Sequence, residues 1–272
     1  MDMDEMLSGH TNRGAPLPHL ASKDWHETPI HATDLSLRWS FVDYNGSYDP
    51  WELDAVVEMP EVGTLTLRNV RSGDQDNLKQ FGEQLGATSR SLFSPYPWEA
   101  EDLATKAFSV AIERNIAHVD ATYLVLFNHM PVGHFVLWGL GSCRHFRGLE
   151  LCIPTLGIAI ADKFHRRGIG TMCLQLIKEL SRENDVDAIE LTTAPHNVWA
   201  GRLYQRQGFV DYGTLNIPLG VDPSMSIAEC KDVAQWRTER HMYHQIKPAM
   251  EKDVTAFLDE KKAATCDMRV SR

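Results

Sequence analysis

Alternation and periodicity of apolar positions divide the chain into elements. Leu35, Leu37, Trp39 and Phe41 alternate with Ser36, Arg38 and Ser40, the two-residue period of a half-buried strand. Asn45-Gly46-Ser47 and Asp49-Pro50 are turn chemistry, and Trp51 to Met59 fits no single period. Gly63 to Val70 predicts the first strand of the main body, followed by a helix capped at Ser72 or Asp74 and running to Leu85. The prolines and aromatics of Ser91–Trp98 interrupt helical structure, and a second helix runs from Glu99 to Asn115. Ala121–Phe127 and Pro131–Trp138 read as strands joined by a short turn, and Gly139–Gly148 as a loop. Leu149–Ala161 reads as a long or interrupted strand whose pairing breaks at Pro154, which has no N–H to donate. Ile169, Met172, Cys173, Leu176, Ile177 and Leu180 then recur at helical spacing, one buried face of an amphipathic helix. Ile189–Thr193 is a further strand, and a helix between an Asn197 cap and a Gly208 stop follows it. Thr214–Val233 reads as an insertion, Glu239–Ile246 as a last strand, and Gln245–Lys262 as containing a helix. Strands and helices that alternate in this way predict a layered α/β domain.

The chemistry concentrates where the strand Leu156–Ala161 turns through His165-Arg-Arg-Gly-Ile-Gly-Thr171 into the amphipathic helix. Gly168 and Gly170 carry no Cβ, so backbone amides at this helix start are open to close approach. The first N–H groups of a helix lack intrahelical partners and sit at the positive end of its dipole, which makes an anion site suited to phosphate. Arg166 and Arg167 add full charges. A Walker loop needs Gly-x-x-x-x-Gly-Lys-Ser/Thr, which the chain lacks. The dinucleotide fingerprint needs a third glycine where Cys173 stands.

The remaining pattern, strand, Arg-x-Gly-x-Gly turn and helix, resembles the acetyl-CoA loop of the GNAT superfamily of N-acetyltransferases. The family pattern is Gln/Arg-x-x-Gly-x-Gly/Ala, and His165 stands at its first position. The segment Asn197-Val-Trp-Ala-Gly-Arg-Leu-Tyr-Gln-Arg-Gln-Gly-Phe209 is similar to the family's Asn-x-x-Ala-x-x-Leu-Tyr-x-x-x-Gly-Phe at every key position. Both arrive in the family's order and spacing, and the resemblance covers roughly Gly63 to Tyr212 with the last strand. It implies a mixed, mostly antiparallel central sheet with a splayed strand pair, flanked by helices.

The resemblance also implies a reaction. The splayed pair would be Leu156–Ala161 and Ile189–Thr193. Backbone groups around Ile158, Ala159 and Ile160 would bind the pantetheine arm and polarise the thioester. His165, Arg166, Arg167, Gly168, Ile169, Gly170 and Thr171 would hold the pyrophosphate, with Asn197 and Tyr204 completing the acetyl-CoA site. Tyr204 matches the residue assigned as general acid at the leaving thiolate. Many members carry a Glu on the strand before the phosphate loop. Thr155 occupies that position here and cannot act as a base. Glu150 is the nearest upstream carboxylate and is the expected base, with Asp120, Glu190, His129 and His196 as other candidates. The expected activity is direct transfer of an acetyl group from acetyl-CoA to a primary amine of a small molecule or polypeptide. The missing Glu leaves open a second reading, a non-catalytic CoA-binding sensor or scaffold.

Charge and composition narrow the partners. With 27 basic and 37 acidic residues the net charge is −10, which argues against a nucleic-acid binder and mildly favours a cationic acceptor. The histidines show no zinc spacing, so no metal is expected. The acidic start lacks an apolar leader, no run is long enough to span a membrane, and the five scattered cysteines fit reduced thiols. A cytoplasmic protein without membrane contact is the expectation. The organisation expected is an extension over 1–60 that could support a homodimer contact, an acyltransferase domain over 61–247 with an insertion near 213–236, and a tail or helix over 248–272.

Overall fold

The computed structural model describes residues 39–44, 49–218 and 236–266. The predicted N-terminal arm, the turn at 45–47 and residues 219–235 of the predicted insertion lie outside these.

The chain enters the sheet through β1 (Ser40–Tyr44), β2 (Asp54–Met59) and β3 (Gly63–Asn69). In β2 and β3 buried and more exposed positions alternate, as one-sided strands require. Helices α1 (Gln75–Glu83), α2 (Ala87–Leu92) and α3 (Glu101–Ile116) follow. The predicted helix ending at Leu85 is α1, and α2 is a short helix the sequence reading did not place; between them Gly86 is extended and its N–H bonds the Asp162 carboxylate at 3.1 Å. Strands β4 (Ala121–Phe127) and β5 (Met130–Trp138) are almost wholly buried and form the centre of the sheet.

Next come β6 (Arg144–Phe146), β7 (Leu149–Leu151) and β8 (Thr155–Ile160). The predicted long or interrupted strand Leu149–Ala161 is interrupted, as two strands in two sheets. β6 and β7 form a separate hairpin, while β8 joins the main sheet. The physical reason is the one expected at Pro154, whose carbonyl still accepts from Glu190 N–H at 3.1 Å although it has no N–H to return. Helix α4 (Ile169–Glu183), β9 (Ala188–Thr193), α5 (Val198–Arg206), β10 (Val210–Pro218), β11 (Trp236–Gln245) and α6 (Glu251–Cys266) complete the order. Thr214–Pro218 belongs to β10, so the predicted insertion begins as strand.

The nine strands run β1-β2-β3-β4-β5-β8-β9-β11-β10. Every neighbouring pair is antiparallel except β8 and β9. β1 and β2 extend the sheet beyond β3. The main core joins Phe135, Leu137 and Leu156 of the sheet to Met172, Leu176 and Ile177 of α4 and to Tyr204 and Phe209 around α5. A smaller apolar cluster packs Phe146 and Leu151 of the hairpin against Val254 and Leu258 of α6. Among the described residues, no helix is long and apolar enough to cross a membrane.

Candidate active site

The site begins where two strands part. β8 and β9 are parallel and bridge at one register position, Thr155 opposite Glu190. Beyond it β8 continues paired to β5 as far as Ile160–Gly133, and β9 continues paired to β11. Alternation along β8 shows which groups are left over. Ala161 N–H donates to Val132 O on the β5 side, whereas Pro154 O accepts from β9. Residues of the same parity as Pro154, Ile158 and Ile160, therefore aim their backbone N–H and C=O into the gap, while Ala159 aims at β5. The Ile160 carbonyl is already used, by His165 Nε2–H at 2.7 Å. That bond folds the loop back on the strand end.

The turn that follows is shaped by left-handed backbone. Arg166 has φ 61° and Gly168, the residue before α4, has φ 86°. Gly168 has no side chain to cap the helix. The first amide here with an intrahelical acceptor is Met172 N–H, bonded to Gly168 O at 3.0 Å. The amides of Ile169, Gly170 and Thr171 precede it and have no helical partner. Arg166 and Arg167 are exposed, and neither has an ion pair with a described residue; Arg167 lies over the Phe164 ring, its Cζ 5.4 Å from the centroid. Gly170 is also where α4 meets α5, since a Cβ there would lie 3.2 Å from Leu203 Cδ2.

Helix α5 starts as its sequence predicts. Asn197 Oδ1 accepts from Ala200 N–H at 3.3 Å. One face carries Tyr204 into the core, where it is 7% exposed and packs against Phe209 at 5.7 Å. Its hydroxyl makes no hydrogen bond to a described residue. Burial pushes its pKa well above the usual phenol range, and the negative charge of Glu239 pushes it further.

A parting strand pair, an open amide turn and a buried tyrosine on the next helix are the geometry in which family membership can be tested. Residues 87–209 match the model of the acetyltransferase (GNAT) family. Over this segment the chain is similar to that family. No curated protein matches the chain. Two solved structures share the fold of this part of the chain. One is a ribosomal-protein alanine acetyltransferase from Vibrio fischeri, 12% identical, covering 68% of this chain and 94% of that one with a TM-score of 0.51. The other is a ribosomal alpha-N-protein acetyltransferase in complex with coenzyme A, 14% identical, covering 69% and 97% with a TM-score of 0.51.

The candidate bases fall in different places. Glu150 lies on β7 of the separate hairpin, its side chain 67% exposed and 3.7 Å from His145. Asp120 is buried as a structural anchor, holding Arg114 at 2.6 Å and the Gly139 amide at 2.7 Å. His129, in the β4–β5 turn, and His196, before α5, are exposed. Glu190 sits at the bridge itself, 1% exposed. It accepts from Lys261 Nζ at 2.6 Å, His241 Nε2–H at 3.0 Å and Thr155 Oγ1 at 3.2 Å. Burial opposes its ionisation, but the Lys261 ammonium and the His241 bond hold its carboxyl well below the usual range, so it is a weak base. Sequence reasoning missed Glu239. It is 3% exposed and 2.5 Å from the Arg237 guanidinium. It lies where β11 runs past the end of β9, since β9 stops at Thr193 opposite Arg240. The signal was the alternation Arg237, Glu239, His241, three polar residues on one face of a strand.

Proposed function

We propose that the GNAT domain transfers an acetyl group from acetyl-CoA to a primary amine by direct attack. The observation that carries the reading is the gap between β8 and β9, which leaves the Ile158 backbone groups free beside an open amide turn at Gly168–Thr171. The turn, with Arg166 and Arg167, takes the pyrophosphate. Ile158 and Ile160 bond the pantetheine amides as an added strand would, and an N–H in the gap polarises the thioester carbonyl. His165 contributes by fastening the turn to Ile160, and Asn197 by setting the start of α5.

Tyr204 serves the leaving sulfur. Its raised pKa keeps the hydroxyl protonated across the working range, so it is a hydrogen-bond donor to the forming thiolate. No thiol competes as a nucleophile from the core. Burial pushes Cys152 up to about 12 and raises Cys173 further still. This supports direct transfer over an acyl intermediate on either buried cysteine.

A lysine-like amine must lose its proton first, at a cost of about 4.6 kcal/mol at pH 7 from its ordinary pKa of ~10.4. We assign the carboxylate that receives this proton as Glu239, which is paired to one cation, Arg237, where Glu190 accepts from Lys261, His241 and Thr155 together. Glu239 is buried and close enough to Tyr204 for its charge to be felt there, whereas Glu150 is solvated on another sheet. The decisive experiment is thiol release from acetyl-CoA against a panel of amines and peptides. Tyr204→Phe should lower kcat on the order of 100-fold and leave CoA affinity unchanged. Glu239→Gln should lower kcat and Glu150→Gln should leave it unchanged. A wild-type protein that binds CoA but turns over no amine would support the sensor or scaffold reading instead.

A further inference from the structure

Cys143 and Cys152 flank the β6–β7 hairpin, Cys143 immediately before β6 and Cys152 immediately after β7. Hairpin geometry sets them opposite each other. The turn between Phe146 and Leu149 has two central residues, Arg147 with φ 50° and Gly148 with φ 81°, as a type I′ turn requires. Phe146 and Leu149 close that turn as a hydrogen-bonded pair. Antiparallel pairs alternate, so His145–Glu150 is a non-hydrogen-bonded pair and Arg144–Leu151 a hydrogen-bonded one. The next step outward, Cys143–Cys152, is again non-hydrogen-bonded. The Cys152 backbone agrees. Its N–H donates to Asp187 Oδ2 at 2.8 Å and its C=O accepts from Asp187 N–H at 2.9 Å, so neither group is spent on Cys143. The Cys152 thiol donates to Leu140 O at 3.6 Å, in the loop that carries Cys143. Negative charge on Cys143 is also felt at Cys152. Both are free thiols, Cys143 exposed and Cys152 buried.

We propose that Cys143 and Cys152 are a modification site: a dithiol that closes to a cross-strand disulfide when a small-molecule disulfide, such as oxidised glutathione, is in excess. The site stands apart from the cofactor reading and does not depend on it. Non-hydrogen-bonded antiparallel partners have Cα atoms about 4.5 Å apart, inside the range of about 4.4–6.8 Å that a disulfide spans. Cys143 lies outside the paired strands, so its backbone can make the small adjustment that brings the sulfurs together. The exchange takes two steps. The Cys143 thiolate attacks one sulfur of oxidised glutathione, its S–S bond breaks, and one glutathione leaves as the thiol with the Cys143 proton. The Cys152 sulfur then attacks Cys143 Sγ, and the second glutathione leaves with the Cys152 proton. The two cysteines are oxidised, and one glutathione disulfide is reduced to two thiols. Burial, which pushes the Cys152 thiol up to about 12, fixes the order: exposed Cys143 reacts first and Cys152 resolves. The closed bond staples the loop after β5 to the strand end that leads through Pro154 to Thr155, at the β8–β9 bridge.

The test equilibrates the folded full chain in glutathione buffers with the reduced or the oxidised form in excess, quenches with acid, blocks free thiols with an alkylating maleimide and maps tryptic peptides by mass spectrometry. In reduced buffer both cysteines should carry the label. In oxidised buffer the peptides ending at Arg144 and beginning at Gly148, which trypsin separates, should stay joined through Cys143 and Cys152 until a reductant is added. Oxidised wild type should also unfold at a higher urea midpoint than reduced wild type, and Cys143→Ser, a change at an exposed position, should abolish both the link and the shift. The proposal is overturned if Cys143 stops at a mixed disulfide with glutathione while Cys152 stays labelled, if Cys143 joins Cys230 or Cys266 instead, or if both thiols remain labelled in oxidised buffer.

Discussion

His134 gives a stability prediction that can be worked from its surroundings. Its side chain lies on β5 with 0% exposure. Nδ1–H donates to Tyr123 O at 3.0 Å, so Nε2 is the bare nitrogen and accepts from the Tyr96 hydroxyl at 2.9 Å. Phe81 and Phe93 rings lie 5.9 and 5.8 Å away. A second proton would put a charge among aromatic rings and turn Nε2 from acceptor to donor. Burial therefore lowers the pKa from 6.5 to about 4, although the Tyr123 carbonyl works the other way. The folded-state pKa is depressed, so the unfolded chain binds the proton more readily. The associated stability is present above 6.5 and is lost as pH falls from 6.5 toward about 4. Between about pH 7.5 and pH 5 the linkage amounts to about 2 kcal/mol. The assay is urea unfolding followed by tryptophan fluorescence at both pH values, for wild type and His134→Gln. The variant starts less stable, but the other titrating groups are common to both proteins and cancel in the difference. Wild type should lose about 2 kcal/mol more than the variant on acidification. Equal losses would refute a neutral, buried His134.

Other perturbations probe the remainder of the fold and site. Lys261→Met removes the ammonium that compensates buried Glu190 and should cost about 3 kcal/mol in urea unfolding, with Glu190→Gln in the same chain restoring part of it. Because the Glu190 carboxyl is held below its ordinary 4.5, its share of stability should persist above that pH and fade only below it, which an acid titration of wild type against the double variant measures. Gly157→Ala places a Cβ 2.4 Å from the Trp138 ring and 3.2 Å from Phe93, and should lower stability by about 2 kcal/mol; an unchanged urea midpoint would show that the ring yields freely. A net charge of −10 should favour cationic acceptors at low salt, with the preference narrowing as salt rises; a salt-independent acceptor ranking would remove electrostatic steering from the account.

Much of the fold was legible because it rests on local patterns. The α4 stripe from Ile169 to Leu180 is buried throughout, and the cap at Asn197 forms as its residue type predicts. The turn at Gly168 follows the same logic, since a residue without a Cβ marks it without long-range help. The parting of β8 from β9 matched the family resemblance, and the strand-breaking effect of Pro154 was visible in the residue itself.

What the order of residues left undetermined was which charges meet. Glu150 and Thr155 are neighbours along the chain, yet a three-residue break sends Glu150 to a hairpin under α6 and Thr155 to the main sheet. Glu190, His241 and Lys261 come from β9, β11 and α6, up to 71 residues apart, and form one buried network. Glu239 shares a strand face with His241, but only the crossover that inserts β11 between β9 and β10 brings it near Tyr204. Local conformation follows from sterics and hydrogen bonds within a few residues, so sequence alone determined it. The partner of a charge and its exposure depend on strands that meet across the chain, and only the tertiary structure decided those.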